Sequence, residues 1–210
     1  EEIKASLGQL DKEKADFVKV ALTGMMSFEE YGKCGAIAFD QNELNYIVKN
    51  AHDTNKPVMV HVNTKEGVQM ALDAGADTIE HGYYLEEDQL QQMIEQDTIW
   101  VPTLAPLGNI IYSNDGALKN QLQTIRKIFD RQSKMIKKAY DLGVNIAVGS
   151  DSGAYRVYHG SGFFDELIYL NKAGIKKKEL MKCMYQNGKK ALRLSDQEIN
   201  RIKDKNIDES

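Results

Sequence analysis

Short apolar runs alternate along this chain with stretches of helical periodicity, and the alternation predicts a strand–loop–helix repeat. Five runs read as strands, over 17–22, 57–63, 77–80, 98–103 and 144–149. Between and after them, helices are predicted over 40–54, 65–74, 86–96, 118–142, 162–172 and 177–187. Punctuation supports these limits. Asp40 and Glu43 have the spacing of a capping box, Gly75 and Gly143 stop the helices before them, and Pro102 ends the fourth strand. The stretch with Pro106, Gly108 and Gly116 is predicted as loop. Residues 1–14 are charged and helix-prone without a clear cap, and Ser195 with Glu198 opens a last polar helix.

Strands alternating with helices imply a parallel sheet built from βαβ units. Within the strands the alternation has a period of two. Val18, Val20 and Leu22 oppose Phe17, Lys19 and Ala21; Val58, Val60 and Val62 oppose Met59, His61 and Asn63. In the fifth run Val144, Ile146 and Val148 oppose Asn145, Ala147, Gly149 and Asp151. One face is aliphatic and suited to packing under helices; the other carries the ionisable groups. The expected fold class is therefore α/β, a partial (β/α) barrel of about five parallel strands followed by C-terminal helices. The third run is less regular, since Ile79 shares parity with His81 and His81 can lie past the strand end.

A (β/α) barrel carries its chemistry at the C-terminal ends of its strands. His61, His81 and Asp151 fall there, and Lys19 lies earlier on an inward face. Neutral imidazole and carboxylate suit Zn²⁺ and similar divalent ions, and a bound ion brings its water to a pKa of about 7. Each residue also has an ordinary alternative. His61 fits a hydrogen-bonded core histidine, His81 a turn residue before Gly82, Asp151 a cap, and Lys19 a snorkelling edge residue. Tyr83 and Tyr84 follow His81 and are placed to border a cavity or simply to pack. Arg156 and His159, in the segment after Asp151, are candidates for a substrate carboxylate or plain surface-loop residues. His52 reads as solvated, and Met25 and Met26 as core or pocket lining. In Gly149-Ser150-Asp151-Ser152-Gly153 the centre is aspartate, so this is not a nucleophilic serine elbow.

Composition narrows the class. With 27 Lys+Arg against 31 Asp+Glu the chain carries a net charge of −4, which argues against a nucleic-acid or membrane-surface binder. The 210 residues suit one domain and show no apolar run long enough to span a bilayer. Cys34 and Cys183 are read as reduced thiols of a cytoplasmic protein.

From Asp16 to about Leu194 the chain resembles the amidohydrolase superfamily, in particular its imidazolonepropionase-like and Xaa-Pro dipeptidase-like (prolidase) branch. The phrases that carry this are 15–20 (Ala-Asp-Phe-Val-Lys-Val), 56–62 (Lys-Pro-Val-Met-Val-His-Val), 74–82 (Ala-Gly-Ala-Asp-Thr-Ile-Glu-His-Gly), 101–104 (Val-Pro-Thr-Leu) and 148–153 (Val-Gly-Ser-Asp-Ser-Gly). The resemblance implies that the runs are strands 4–8 of a TIM (β/α)8 barrel. Residues 1–194 would form the C-terminal part of that barrel and 195–210 a polar helix and tail. It implies Lys19 as a carboxylated lysine bridging two metal ions, His61 and His81 as further ligands, and Asp151 as ligand and proton acceptor. With a single metal, His81 would act on the carbonyl oxygen instead. A tyrosine after His81 would meet a substrate carboxylate.

The four histidines, 52, 61, 81 and 159, include no His-x-His pair, which the family carries on its first strand. The expectation is thus the C-terminal part of a longer enzyme, or a truncated product. The expected activity is metal-dependent hydrolysis of a C–N bond, amide or cyclic amide, in a small molecule or dipeptide, with one or two zinc ions. Two alternatives stand beside it: a non-catalytic fragment stable only as an assembly, and a lactonase- or phosphotriesterase-like hydrolase. The expected partners are the substrate and either further copies of the chain or the N-terminal remainder of the barrel, with no nucleic acid and no membrane.

Overall fold

The computed structural model describes residues 1–113 and 116–201. The tail over 202–210, expected to continue the last helix, lies outside the described residues. Four strands, β1 (Val18–Ala21), β2 (Val58–Val62), β3 (Thr78–His81) and β4 (Ile99–Val101), form one parallel sheet in sequence order. Helices α1 (Glu2–Lys12), α2 (Gln41–Asp53), α3 (Lys65–Asp73) and α4 (Glu87–Gln96) alternate with them. The chain continues through α5 (Ala105–Tyr112), α6 (Leu122–Leu142), α7 (Ser161–Lys172), α8 (Lys177–Met181) and α9 (Gly188–Ala191). Among these described helices none is long and apolar enough to cross a membrane.

The predicted caps explain the helix limits. Asp40 accepts from the Glu43 amide while Glu43 accepts from the Asp40 amide, each at 2.9 Å. Gly75 and Gly143 leave their helices with left-handed backbones, φ 81° and 92°, which a side chain would resist. Ser195 and Glu198 close a reciprocal cap ahead of a helical turn over 196–201.

Two expectations change. The segment with Pro106 and Gly108 is helix α5, not loop. Pro106 stands in its first turn, where no amide partner is lost. At Gly108 the Tyr169 ring packs so close that a Cβ would lie 2.5 Å from it. The fifth strand also shrinks to a single parallel bridge between Trp100 and Ile146. Trp100 donates to the Asn145 carbonyl at 2.8 Å and Ala147 donates to the Trp100 carbonyl at 2.9 Å. The Ile146 carbonyl is taken by the buried Asn187 side chain at 2.7 Å. Asn187 ends a wider π-helical segment, Lys182–Asn187, between α8 and α9.

Register across the sheet aligns Lys19 with Met59 and Ala21 with His61, and sets His61 beside Glu80. The opposite face, with Val18, Val20, Val58, Val60, Val62, Ile79 and Trp100, packs into the main helix-covered core. Ile99, Val101, Ala147 and Ala191 form a separate apolar cluster on the inner side. Lys19 and Ala21 on that side are exposed. The molecule is an arc of a β/α barrel, its polar strand ends gathered at one rim.

Candidate functional site

His61 and His81 meet at that rim. Their ring centroids are 4.5 Å apart and their planes are at 72°. Strict alternation would send the His81 side chain to the helix side with Ile79. Instead His81, the last residue of β3, has a left-handed backbone with φ 66°, and the alternation breaks there. Thr103 (φ 53°) and Asp151 (φ 55°) do the same after their own strand segments. Such conformations cost about 1–3 kcal/mol each and persist where the surroundings hold them.

At His81 the hold is dense. Its carbonyl accepts from Trp100 Nε1 and from Gln132 Nε2, each at 2.9 Å. Gln132 reaches on to the Pro102 carbonyl at 2.5 Å. The ring Nδ1 lies 2.6 Å from Thr103 Oγ1, and the Tyr83 hydroxyl donates to the Thr103 carbonyl at 2.9 Å. Behind Thr103, the fully buried Glu166 accepts from the Leu104 and Ala105 amides at 3.0 and 2.6 Å.

Electrostatics leave both imidazoles neutral at pH 7. Burial, then the charges of His61 and Lys19, push His81 down to about 3. Burial and Lys19 lower His61, against Asp151 and a backbone hydrogen bond at Thr23. Burial raises Glu166 to about 8, against the pull of its two amide donors. Burial likewise raises the Tyr83 phenol.

A cleft of about 280 Å³ opens over the pair, lined by His61, Asn63, His81, Tyr83, Asp151 and an apolar wall that includes Met25, Met26 and Ile110. The structure thus brings together His61, His81, Asp151 and Tyr83. Lys19 stands apart from this lining, its ammonium 3.5 Å from Glu80 Oε2. Tyr84 is also outside it; its hydroxyl accepts from the Gly32 amide at 2.9 Å and its ring meets Tyr31 edge-on. Arg156 and His159 do not line the cleft either. The Arg156 carbonyl accepts from Asn109 at 2.9 Å, and its guanidinium lies 5.7 Å from the Tyr155 ring centroid. His52 is not simply solvated, since its Nε2 lies 2.8 Å from Asp77 at the other end of the sheet. Among the described residues no group of three or more His, Cys, Asp or Glu is arranged to hold a metal ion.

Thr103, Gln132 and Glu166 were not singled out from the sequence. Two of them carried a legible signal. Gln132 interrupts the apolar stripe Ile125, Ile128, Phe129, Ile136, Ala139 of α6, and Glu166 sits in line with Gly162, Tyr169 and Leu170 on α7. A polar residue on a buried stripe must have a partner. Thr103 had no such mark.

Residues 1–198 match the amidohydrolase family. The Aspergillus niger ochratoxinase is 29% identical over 154 residues, 72% of this chain and 32% of that protein. A crystal structure of a Xaa-Pro dipeptidase with methionine bound in its active site superposes with a TM-score of 0.77 at 28% identity, over 93% of this chain and 48% of that one. For a Bifidobacterium longum protein described as a putative prolidase the TM-score is 0.77 at 23% identity, over 92% and 48%, a likeness of fold. The chain thus spans about a third of that curated relative and about half of those solved chains. Its strand order, its strand-end histidines and the match over nearly its whole length agree: the chain belongs to the amidohydrolase family.

Proposed function

We propose that this chain supplies the His61–His81–Asp151 side of the active site of a hydrolase that cuts C–N bonds, with dipeptides of the Xaa-Pro type as the favoured substrates. The observation that carries the reading is the pair of neutral imidazoles in contact at the sheet rim, sharing a cleft with a carboxylate. Likeness to a Xaa-Pro dipeptidase and to an ochratoxinase supports amide hydrolysis.

The donors suit a divalent cation in kind. The imidazoles are neutral, His81 is oriented by Thr103 through Nδ1, and Asp151 adds an anionic oxygen. His61, His81 and Asp151 form no ready three-donor group as they stand, so they would contribute ligands to such an ion rather than enclose it, and Lys19 would join as a carbamate; as an ammonium paired with Glu80 it is no ligand. A divalent ion supplies carbonyl polarisation and water activation at neutral pH. Asp151 takes the proton of the attacking water and returns it to the leaving nitrogen. The apolar wall of Met25, Met26 and Ile110 seats the side chain beside the scissile bond.

A second reading, of a piece inert by itself, is favoured by the lack of a three-donor group among the described residues. Assay of Xaa-Pro dipeptides, other amides, lactones and phosphate triesters tests both. Dipeptide hydrolysis lost in Asp151→Asn supports the proposal. Turnover of lactones or triesters alone contradicts it, and no turnover of any substrate favours the inert piece.

A further inference from the structure

Between β1 and α2 the chain leaves the sheet as a hairpin over 22–38. Its arms are laddered: Gly24 donates to the Ala36 carbonyl at 3.1 Å, Gly35 to the Met25 carbonyl at 3.0 Å and Ser27 to the Lys33 carbonyl at 2.8 Å. The tip is fastened to elements far along the chain. The Gly32 amide donates to the Tyr84 hydroxyl at 2.9 Å, and the Tyr31 ring stands edge-on to that of Tyr84 with centroids 5.6 Å apart. The Lys127 ammonium lies 3.8 Å from the Tyr31 ring centroid, and Gln121 donates to Glu29 at 2.6 Å. Tyr84 is itself tied to the sheet rim, its amide donating to the Asn63 carbonyl at 3.0 Å.

The hairpin sorts its side chains. Its charged residues are spent at the tip, Glu29 on Gln121, and Glu30 and Lys33 on each other at 2.9 Å. To the lining of the cleft it contributes Met25, Met26 and Phe28, all apolar. Met25 is 78% exposed, so an apolar group entering the cleft would take its thioether surface out of water.

We infer that this hairpin is the specificity element of the cleft, seating a long apolar side chain of the substrate, and that Tyr84 and Lys127 are positioning residues that hold it in place. That the side chain belongs to a substrate rests on the hydrolase reading. Methionine adapts its shape, so the wall accepts unbranched and aromatic side chains alike, whereas a glycine leaves it unfilled. Tyr84 acts on the cleft from outside it, through the hairpin, and not by meeting a substrate carboxylate.

The test is an NMR titration of the chain, its methionine methyls isotope-labelled, with N-acetylmethionine amide and with N-acetylglycine amide. Met25→Leu and Met26→Leu assign the two signals. The methionine probe is expected to move both, and the glycine probe to leave them in place. Tyr84→Phe keeps the ring and removes one hydrogen bond, so it is expected to weaken binding of the methionine probe about threefold to tenfold. Exchange of the Gly24, Ser27 and Gly35 amides is expected to quicken with it. Lys127→Gln, at an exposed position, is expected to give a smaller effect in the same direction. Met25 and Met26 signals unmoved by the methionine probe overturn the inference, as does an equal response to both probes; these readouts require no variant to fold. Affinity and exchange unchanged in both Tyr84→Phe and Lys127→Gln overturn the positioning roles. The titration needs no turnover, so binding without hydrolysis supports the seat and counts against the hydrolase reading instead.

Discussion

His61 and His81 touch edge to face because His81 abandons the strand alternation that His61 obeys. On an ideal strand the two rings would face opposite sides of the sheet, as Val62 and His61 do. A left-handed residue at the end of β3 brings the imidazole back over the rim. The hydrogen bonds that His81 makes with Trp100, Gln132 and Thr103 offset the backbone cost of that conformation.

Gln132→Leu tests that clamp. The substitution keeps the volume but leaves the Pro102 carbonyl without its partner and takes one of two donors from His81. A buried acceptor left unsatisfied costs about 1–3 kcal/mol. Urea denaturation is expected to show a loss in that range, with an unchanged slope.

Glu166 gives the fold a pH dependence of calculable sign. Its carboxyl is held at about 8 in the folded chain, above an ordinary value of 4.5. The folded state therefore binds more protons than the unfolded state between those values. The stabilisation is complete below pH 4.5 and is lost as pH rises toward 8, at a slope approaching about 1.4 kcal/mol per pH unit. In Glu166→Gln that component disappears. Denaturation curves across this range should show the wild type losing stability relative to the variant as pH rises.

The loop that brings Met25, Met26 and Phe28 to the cleft depends on a close backbone crossing. A Cβ on Gly24 would lie 2.7 Å from the Gly35 Cα, backbone against backbone, so no rotamer change relieves it. Gly24→Ala is expected to cost about 1–3 kcal/mol, the usual penalty of overpacking. Thermal and urea melts measure it.

Lys19 and Glu80 make a weak obstacle to lysine carboxylation. Their contact is 3.5 Å and the Lys19 side chain is 45% exposed. A pair of that kind contributes no more than about 1 kcal/mol. Native mass spectrometry in bicarbonate is expected to show a carbon dioxide adduct on the wild type, absent from Lys19→Arg. No adduct under any condition contradicts the carbamate.

Much of this was readable from residue order. Parity along 57–63 placed His61 on the polar face, and Asp40, Gly75 and Gly143 marked helix ends that the structure keeps. These are local signals with local causes. Three features were not readable. Val144 to Gly149 has strand composition, but it pairs with β4 only through the Trp100–Ile146 bridge, and on its other edge the Ile146 carbonyl is taken by Asn187, forty-one residues away. Pro106 and Gly108 look like loop punctuation, yet one fits a first helical turn and the other fits under Tyr169. The position of the His81 ring depends on a backbone angle set by Trp100, Gln132 and Thr103, three contacts that no period along the strand encodes.

Metal occupancy tests the central claim most directly. The chain, dialysed against zinc and analysed for bound metal, is expected to hold close to one ion per molecule and to lose it in His61→Ala. A chain that holds no zinc, or whose occupancy is the same in His61→Ala, contradicts the assignment of the paired imidazoles as a cation site.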